Sequence, residues 1–236
     1  AVTIPGPFRC SDPAITRRDP LTATAPPASR WLLLEHPGPW GPHGLWDVVS
    51  HDVAHKLLAQ AAHVNARVLL IRGPGRRRAR GWHWFIADSR PGHERIVRGE
   101  FGWMGDMLGI DLVTPPGSDL RAPLYLVCTH GRHDPCCAIR GRPVAEVFST
   151  NQPEQAWECS HVGGDRFAAN VVVLPYGIYY GHVEPSDTKA VAEATDAGRI
   201  LLSQYRGRAG STPVEQAAEG YLRSVRDEDR IDAVRI

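Results

Sequence analysis

The amino-acid sequence predicts an α/β protein made of two halves with the same order of elements. In residues 31–122, apolar runs of strand length alternate with a segment of helical spacing, and a similar order restarts at Leu124. The chain has 236 residues, of which 42% are hydrophobic, so it can bury one large core or two small ones. We therefore expect one domain over residues 1–122 and a second over residues 123–236.

The first half opens with a segment rich in Pro, Ala, Thr and Ser, which predicts an extended arm over residues 1–30. Trp31–Glu35 and Ala66–Ile71 are short apolar runs typical of buried strands, and Trp82–Ala87 predicts a third strand. Val48–Ala66 carries its apolar residues at helical spacing. The first half thus has the order strand, helix, strand, strand.

The second half begins with a strand, Leu124–Val127, which ends on Cys128. A helix is expected at Pro143–Ser149, with proline at its first position. Next come strands at Trp157–Cys159, Val171–Leu174 and Ile178–Gly181, and a long helix capped by Ser186 whose inward residues are Val191, Ala194, Ala197, Ile200, Leu201 and Tyr205. A last helix starts at a capping box of Thr212 and Glu215. The order β-α-β-β-β-α matches a thioredoxin-like fold, of which the first half is a degenerate copy.

Charge and hydropathy exclude several classes of protein. The net charge of +1, from 27 basic and 26 acidic side chains, gives no reason to expect nucleic acid as a partner. No apolar run approaches the roughly 20 residues of a membrane span, and no export signal is visible, so we expect a cytoplasmic protein. Five arginines between Arg72 and Arg80 predict a flexible basic loop, with partner docking as a minor hypothesis.

Cysteine is the most informative residue type. An odd count of five, with one adjacent pair, is not typical of a secreted disulfide framework. Four of the five cysteines lie close together in the sequence and beside three histidines: Cys128, Cys136, Cys137 and Cys159, with His130, His133 and His161. Such a cluster indicates metal or redox chemistry.

The segment from Cys128 to Cys137 carries the strongest signal. Cys128 lies where a strand ends, so its sulfur can face a cleft. Asp134 and Pro135 resemble an N-cap and a first helical residue, which places Cys136 and Cys137 in a first turn where the helix dipole favours thiolates. Because neighbours in a helix point about 100° apart, we expect one of the two as a ligand and the other in packing.

A second candidate is the pair His161 and Asp165, spaced four residues apart. The two glycines between them would let the backbone approach a bulky inorganic group and donate N–H bonds to it. The alternative is a loop histidine that caps a helix. His51 and His55 have the i, i+4 spacing that can bind zinc, but with no third ligand nearby they are interpreted as a solvated helix face.

Four motifs in order resemble the sucrase/ferredoxin-like family, which includes thioredoxin-like ferredoxins. They are Cys128–Cys137, Ser160–Phe167, Gly181–Pro185 and Tyr205–Gly210. Two N-terminal segments, Cys10-Ser11 and Trp31–Gly41, resemble the leader domain of bacterial members. The resemblance implies a thioredoxin-like domain that holds one 2Fe–2S cluster and passes single electrons.

The resemblance also implies a ligand set. Two cysteines bind one iron in such relatives, and they match Cys128 and Cys137. A His-x3-His pair holds the other iron in the fungal relatives, and its positions match His161 and Asp165. Because Asp165 stands where the second histidine would be, it is our hypothesis for the fourth ligand. Three other side chains are alternatives to it: Cys136, Cys159 and His133.

These ligands lead to expectations about redox behaviour. An aspartate adds negative charge, so the reduction potential should lie below that of a site with two histidines, a class that spans about −150 to +300 mV in Rieske centres. As a ligand, His161 would couple the potential to pH, lowering it as pH rises. We expect an electron carrier rather than a stand-alone enzyme, with a redox partner protein such as a flavin-dependent reductase.

Two alternatives belong to other functional classes. A structural zinc module could use Cys128, Cys137 and His161 with one further group. A thiol-dependent oxidoreductase could use Cys136 or Cys137 as its nucleophile, with His133 nearby.

Overall fold

The structure is a computed structural model that describes residues 9–73 and 82–234. The strands of these residues are β1 (Arg30–Glu35), β2 (Ala66–Arg72), β3 (Trp82–Asp88), β4 (Arg95–Phe101), β5 (Ser118–Asp119), β6 (Leu124–Cys128), β7 (Ala156–Cys159), β8 (Val171–Leu174), β9 (Ile178–Tyr180) and β10 (Tyr205–Arg208). The helices are α1 (Ser11–Arg17), α2 (His51–His63), α3 (Pro135–Asn151), α4 (Thr188–Asp196) and α5 (Pro213–Arg226). The described strands form one sheet in the order β10-β9-β8-β6-β7-β2-β1-β3-β4-β5.

Both halves of the sheet have the same strand order and directions. In the first half, β1 is parallel to β2 and antiparallel to β3, which pairs with β4. In the second half, β6 is parallel to β7 and antiparallel to β8, which pairs with β9. A helix crosses between the parallel strands in each case. The predicted α/β class with thioredoxin-like order is therefore confirmed, whereas the domain boundary at residues 122–123 stays a prediction.

The two halves join where β2 and β7 run antiparallel, with Ile71 opposite Cys159 and Arg72 opposite Glu158. The guanidinium of Arg72 donates from Nε (2.9 Å) and Nη2 (2.6 Å) to one carboxylate oxygen of Glu158. Arg72 thus belongs to a strand and not to the predicted basic loop. Residues 74–81, with the other arginines of that run, lie outside the described residues.

A single hydrophobic core covers one face of the sheet across both halves. It joins Trp31, Leu33 and Phe85 of the first half to Leu126 and Tyr179 of the second. The same core includes three cysteines: Cys128, Cys137 and Cys159. Since burying one such large apolar side chain contributes about 1.5–3 kcal/mol, this shared core ties the second half's cysteines to the first half's strands.

The N-terminal arm differs from the prediction of an extended segment. Residues Ser11–Arg17 form α1, which ends at Arg18 in the left-handed conformation. The chain then runs along the edge strand β10, where Thr24 N–H donates to the carbonyl of Arg206 and Ala28 N–H to that of Ala209. Residues 11–17 can be helical because the only proline of α1, Pro13, falls in the first turn, where no intrahelical donor is lost.

Two helix predictions for the second half were also wrong in their bounds. Asp134 caps α3, as the Cys128–Cys137 segment indicated, so the helix begins at Pro135 and continues through Pro143, which was expected to open a separate helix. Helix α4 ends at Asp196 instead of continuing to Tyr205, since Gly198 takes a positive φ of 67° and turns the chain. Tyr205 instead begins the edge strand β10. The predicted capping box at the start of α5 is confirmed.

Candidate metal centre

Cys128 and Cys137 are placed by the end of β6 and the start of α3. Cys128 is the last residue of its strand, and its N–H donates to the carbonyl of Asn170 (3.0 Å). Asp134 caps α3 by accepting from the N–H of Cys136 (2.7 Å), as the sequence predicted. The cap and the strand end together bring the two thiols to one point in the core.

Four predicted site residues converge there. The Sγ atoms of Cys128 and Cys137 and a ring nitrogen of His161 all lie within 4.8 Å of one another. Asp165 Oδ1 is 3.5 Å from Cys137 Sγ and 3.1 Å from His161 Nδ1. Asp165 does not join the group that contains Cys128, but forms a second close group with His133 and His161. Two thiols, an imidazole and a carboxylate are thus available to a metal.

The site runs from a buried side to an exposed side. Cys128 and Cys137 are 1% and 0% exposed, whereas the side chains of His161 and Asp165 are 20% and 31% exposed. Contact with Cys137 lowers the pKa of Cys128, and His161 lowers it further. Contact with Cys128, together with burial, raises the pKa of Cys137. Cys128 is therefore the sulfur that gives up its proton more readily, and a metal that binds both sulfurs must also displace the proton of Cys137.

The loop that carries His161 is held by the first half of the chain. Ser160 N–H donates to the carbonyl of Leu70 (2.8 Å), and Leu70 N–H donates back to the Ser160 hydroxyl (3.0 Å). Arg67 Nη2 donates to the carbonyl of His161 (3.2 Å). The strand β2 thus fixes the backbone of the ligand loop, a role for the first half that the sequence did not reveal.

His130 orients the backbone of His161. His130 Nδ1 accepts from the backbone N–H of His161 (3.2 Å), so its Nε2 is the donor to the carbonyl of Gly41 (2.7 Å). Burial lowers the pKa of His130, which keeps the ring neutral and both bonds intact at neutral pH. Sequence reasoning placed His130 in the cysteine cluster without giving it a role.

The two glycines of the loop, Gly163 and Gly164, pack closely against other parts of the chain. Gly163 and Gly164 have φ values of 92° and 81°, where a side chain would be strained. A Cβ at Gly163 would press on Pro26, and one at Gly164 on the guanidinium of Arg206. The absence of side chains at these two positions therefore allows close packing of the loop on the arm and on β10, and the approach of the loop's N–H groups to an inorganic group stays a prediction.

Arg206 is a buried cation beneath this loop. It is 1% exposed, and it donates to the carbonyls of Gly163 (3.2 Å) and Thr24, to the Thr24 hydroxyl (3.0 Å) and to Asn170 Oδ1 (2.7 Å). Within residues 9–73 and 82–234, no carboxylate forms an ion pair with it. Burial lowers the pKa of Arg206 to about 10, so it is charged at neutral pH. A buried charge of this kind favours an anionic group nearby.

The alternative ligands are placed differently from one another. His133 stacks on His161 with ring centroids 3.8 Å apart, and both rings line a groove of about 320 Å³ that also touches Trp46. Cys136 instead contacts Cys10, and Cys159 is fully buried. Of the three alternatives to Asp165, His133 is therefore the one that shares a close donor group with His161.

Helix α2 shows the predicted solvated face. His51 and His55 are both exposed, and Lys56 beside them pairs with Asp52 at 2.8 Å. Neither histidine belongs to a close group of donor atoms among the described residues. Over those residues, too, there is no helix of the length and apolar character that crossing a membrane requires.

The chain is similar to curated yeast proteins over part of its length. It is 30% identical over 100 residues to "Altered inheritance of mitochondria protein 32" from Meyerozyma guilliermondii, covering 38% of this chain and 36% of that protein. It is 29% identical over 96 residues to the protein of that name from Saccharomyces cerevisiae strain YJM789, covering 35% and 31%. The chain therefore spans about a third of the length of these relatives. They do not support the bacterial origin expected from the N-terminal segments.

One solved structure and one family model also match. The structure is a cysteine-to-serine variant of the thioredoxin-like [2Fe-2S] ferredoxin from Aquifex aeolicus, with 22% identity and a TM-score of 0.33, covering 37% of this chain and 100% of that one. The model of the family described as Sucrase/ferredoxin-like matches residues 21–207. Because this match spans most of the sequence, the chain belongs to the Sucrase/ferredoxin-like family.

Proposed function

We propose that this protein carries single electrons on a 2Fe–2S cluster bound by Cys128, Cys137, His161 and Asp165. The observation that supports this is the convergence of two buried thiols on an imidazole and a carboxylate at the protein surface. When bound, such a cluster supplies one reversible one-electron step. The residues of the chain determine its charge, its exposure and the side from which a partner can approach.

The chemistry of the donors fits this group. Thiolates and imidazoles are the protein ligands of iron–sulfur centres, and both are present within contact distance. Two thiolates and a carboxylate bring three negative charges to the site. The buried guanidinium of Arg206, which has no carboxylate partner in the described parts of the chain, offsets part of that charge.

Each residue would have a distinct task. Cys128 and Cys137 would hold the buried side, where the shared core excludes water. His161 and Asp165 would hold the exposed side, and His130 would orient His161 through its backbone. His133, stacked on His161, extends the exposed side into the groove, which is where we propose that a redox partner approaches. We also propose that the protein works in the cytoplasm and that a flavin-dependent reductase supplies its electrons.

One observation favours a second candidate, a structural zinc site. The donor atoms of Cys128, Cys137 and His161 form a triangle with no side longer than 4.8 Å, which suits the tetrahedral ligation of a single ion. The third possibility, a thiol enzyme with His133 as base, has less support. The thiol of Cys136 contacts Cys10, and that of Cys137 contacts His161 and Asp165.

Matched alanine variants test the ligand set. We expect Cys128→Ala and Cys137→Ala to lose iron, acid-labile sulfide and visible absorption together, while far-ultraviolet circular dichroism shows that they fold. Cys159→Ala is the control, because Cys159 is equally buried and lies opposite Cys128 in the sheet without being a proposed ligand. Iron and sulfide retained in Cys137→Ala but lost in Cys159→Ala would refute the assignment.

A further inference from the structure

We propose that Cys10 and Cys136 are a site of oxidative modification, at which they form a disulfide that ties the N-terminal arm to the start of α3. Their Sγ atoms lie 3.5 Å apart, although 126 residues separate them in the chain. Neither residue belongs to the ligand set of the proposed function, which is Cys128, Cys137, His161 and Asp165. The inference therefore holds or fails independently of the proposed function.

The two thiols face each other because the arm packs on α3 at this point. Cys10 directly precedes α1, and Cys136 is the second residue of α3. A disulfide bond is about 2.05 Å long, so the sulfurs must approach by roughly 1.5 Å, which side-chain rotation can supply. Cys136 is buried and Cys10 is half-buried, so a small oxidant reaches the pair from the side of Cys10.

Polar contacts already hold the arm in the position that the bond requires. Arg140, one turn after Cys136, donates from Nε to the Ser11 hydroxyl (3.0 Å) and from Nη2 to Asp12 Oδ1 (2.7 Å). These contacts fix α1 relative to α3 before any bond forms. Folding has therefore already brought the two cysteines together, so little further chain entropy is lost when the bond forms.

The chemical step is a thiol–disulfide exchange with a small disulfide such as oxidised glutathione. One thiol attacks the oxidant, which releases one glutathione and leaves a mixed disulfide, and the second thiol attacks the protein sulfur of that mixed disulfide and displaces the other glutathione. The Sγ–Sγ bond forms, the sulfur–sulfur bond of the oxidant breaks, and two glutathione thiols leave with the two protons. Cys10 and Cys136 are oxidised by two electrons in total, and the oxidant is reduced by two.

A metal ion is the competing occupant of this corner. Asp134 Oδ2 lies 3.6 Å from Cys10 Sγ, so two sulfurs and one oxygen form a close group of donors. However, Asp134 already caps α3 through its other oxygen, and no fourth donor joins the group among the described residues. The geometry therefore favours a bond between the sulfurs.

The test is a peptide map of the full chain after exposure to oxidised glutathione. Remaining thiols are blocked with N-ethylmaleimide, and the protein is digested without reduction. We expect one cross-linked peptide that joins Cys10 to Cys136, lighter than the two free peptides by two hydrogen atoms. This peptide should be absent from Cys10→Ser and present in Cys159→Ala and Cys137→Ala. Its presence in Cys137→Ala excludes a bond between the neighbouring residues Cys136 and Cys137.

Three results would overturn the proposal. The first is separate glutathione adducts on Cys10 and Cys136 with no cross-linked peptide. The second is a cross-link from Cys136 to Cys137. The third is a bound zinc ion that protects both thiols of the wild-type protein from oxidised glutathione. Such an ion would be lost in Cys10→Ser and kept in Cys137→Ala.

Discussion

Gly141 lies against the carbonyl oxygen of Cys128, so closely that a Cβ at position 141 would overlap that oxygen. This contact sets the distance between α3 and β6. Because Cys137 is one helical turn before Gly141, the same contact sets how near its sulfur comes to Cys128. The close approach of two thiols from separate elements thus depends on the missing side chain of one glycine.

The first prediction concerns that glycine. In Gly141→Ala the new methyl group must push α3 away from the end of β6, which we expect to destabilise the protein by about 1–3 kcal/mol. The displacement should also separate Cys137 from Cys128 and lower the iron content. Urea unfolding and metal analysis measure the two effects.

Gly109→Ala is the matched control for this substitution. A Cβ at Gly109 would meet no atom within 4 Å, and the backbone there does not have a positive φ. Its stability and iron content should stay close to wild type. Equal behaviour of the two variants would contradict the role given to Gly141.

The second prediction concerns the fourth ligand. Asp165→His replaces a negative ligand by a neutral one, so the oxidised state loses stabilisation and the reduction potential should rise, by on the order of 100 mV. Asp165→Ala should change the visible spectrum and weaken retention of the cluster. Redox titration followed by absorption measures the shift. A spectrum and potential unchanged in Asp165→Ala would remove Asp165 from the site and direct attention to His133.

The third prediction concerns the buried guanidinium. Arg206→Gln removes a positive charge from beneath the ligand loop and leaves backbone carbonyls of Thr24 and Gly163 without their donor. The free energy of unfolding should fall by about 3 kcal/mol, since each buried unsatisfied group costs about 1–3 kcal/mol. The reduction potential should fall as well, because the added electron loses a nearby cation.

Arg206→Lys separates these two effects. The lysine keeps the charge but cannot make the same four hydrogen bonds, so stability should fall while the potential stays near that of wild type. A potential that drops equally in both variants would show that Arg206 acts through structure alone.

The fourth prediction concerns pH and stability. Burial lowers the pKa of His182, so the unfolded chain takes up a proton at higher pH than the folded one. The contribution of neutral His182 to the stability of the folded protein is fully present above the usual histidine pKa of about 6.5. It is lost as pH falls through the lower pKa that His182 has in the folded protein. The free energy of unfolding should therefore decrease as pH falls below about 6.5.

His182→Asn should flatten that decrease. Asparagine does not titrate and tolerates the left-handed backbone that His182 adopts, with φ of 52°. His63→Gln, at the exposed end of α2, is the control and should keep the slope of wild type. Urea unfolding at a series of pH values measures both; an unchanged slope in His182→Asn would refute this prediction.

Local patterns predicted much of the fold. Seven of the ten described strands follow from short apolar runs, whereas β4, β5 and β10 were not predicted. The starts of α3 and α5 follow from Asp134 and Thr212, which are caps recognisable from sequence alone. The prediction failed where a tertiary contact decides the structure. The end of α4 depends on the turn at Gly198, and Tyr205 joins the edge strand because β9 offers it partners.

In the candidate site, too, residues in local motifs could be predicted and tertiary contacts could not. Cys128, Cys137, His161 and Asp165 stand in motifs, and the structure brings them together. The contributions of Arg67 and Leu70 could not be predicted, because these residues act from β2, with no periodicity or spacing that links them to the loop. Arg206 stands in the motif Tyr205–Gly210, but its contact with the loop arises only from tertiary packing. The same is true of Cys10, which meets Cys136 only through the packing of the arm.

The proposed electron transfer requires that this site hold a 2Fe–2S cluster. Its most direct test is the visible absorption spectrum of anaerobically purified protein, with iron and acid-labile sulfide counted on the same sample. We expect a brown protein with about two irons and about two sulfides per chain. A colourless protein with about one zinc, or with no metal and free thiols at Cys128 and Cys137, would contradict it.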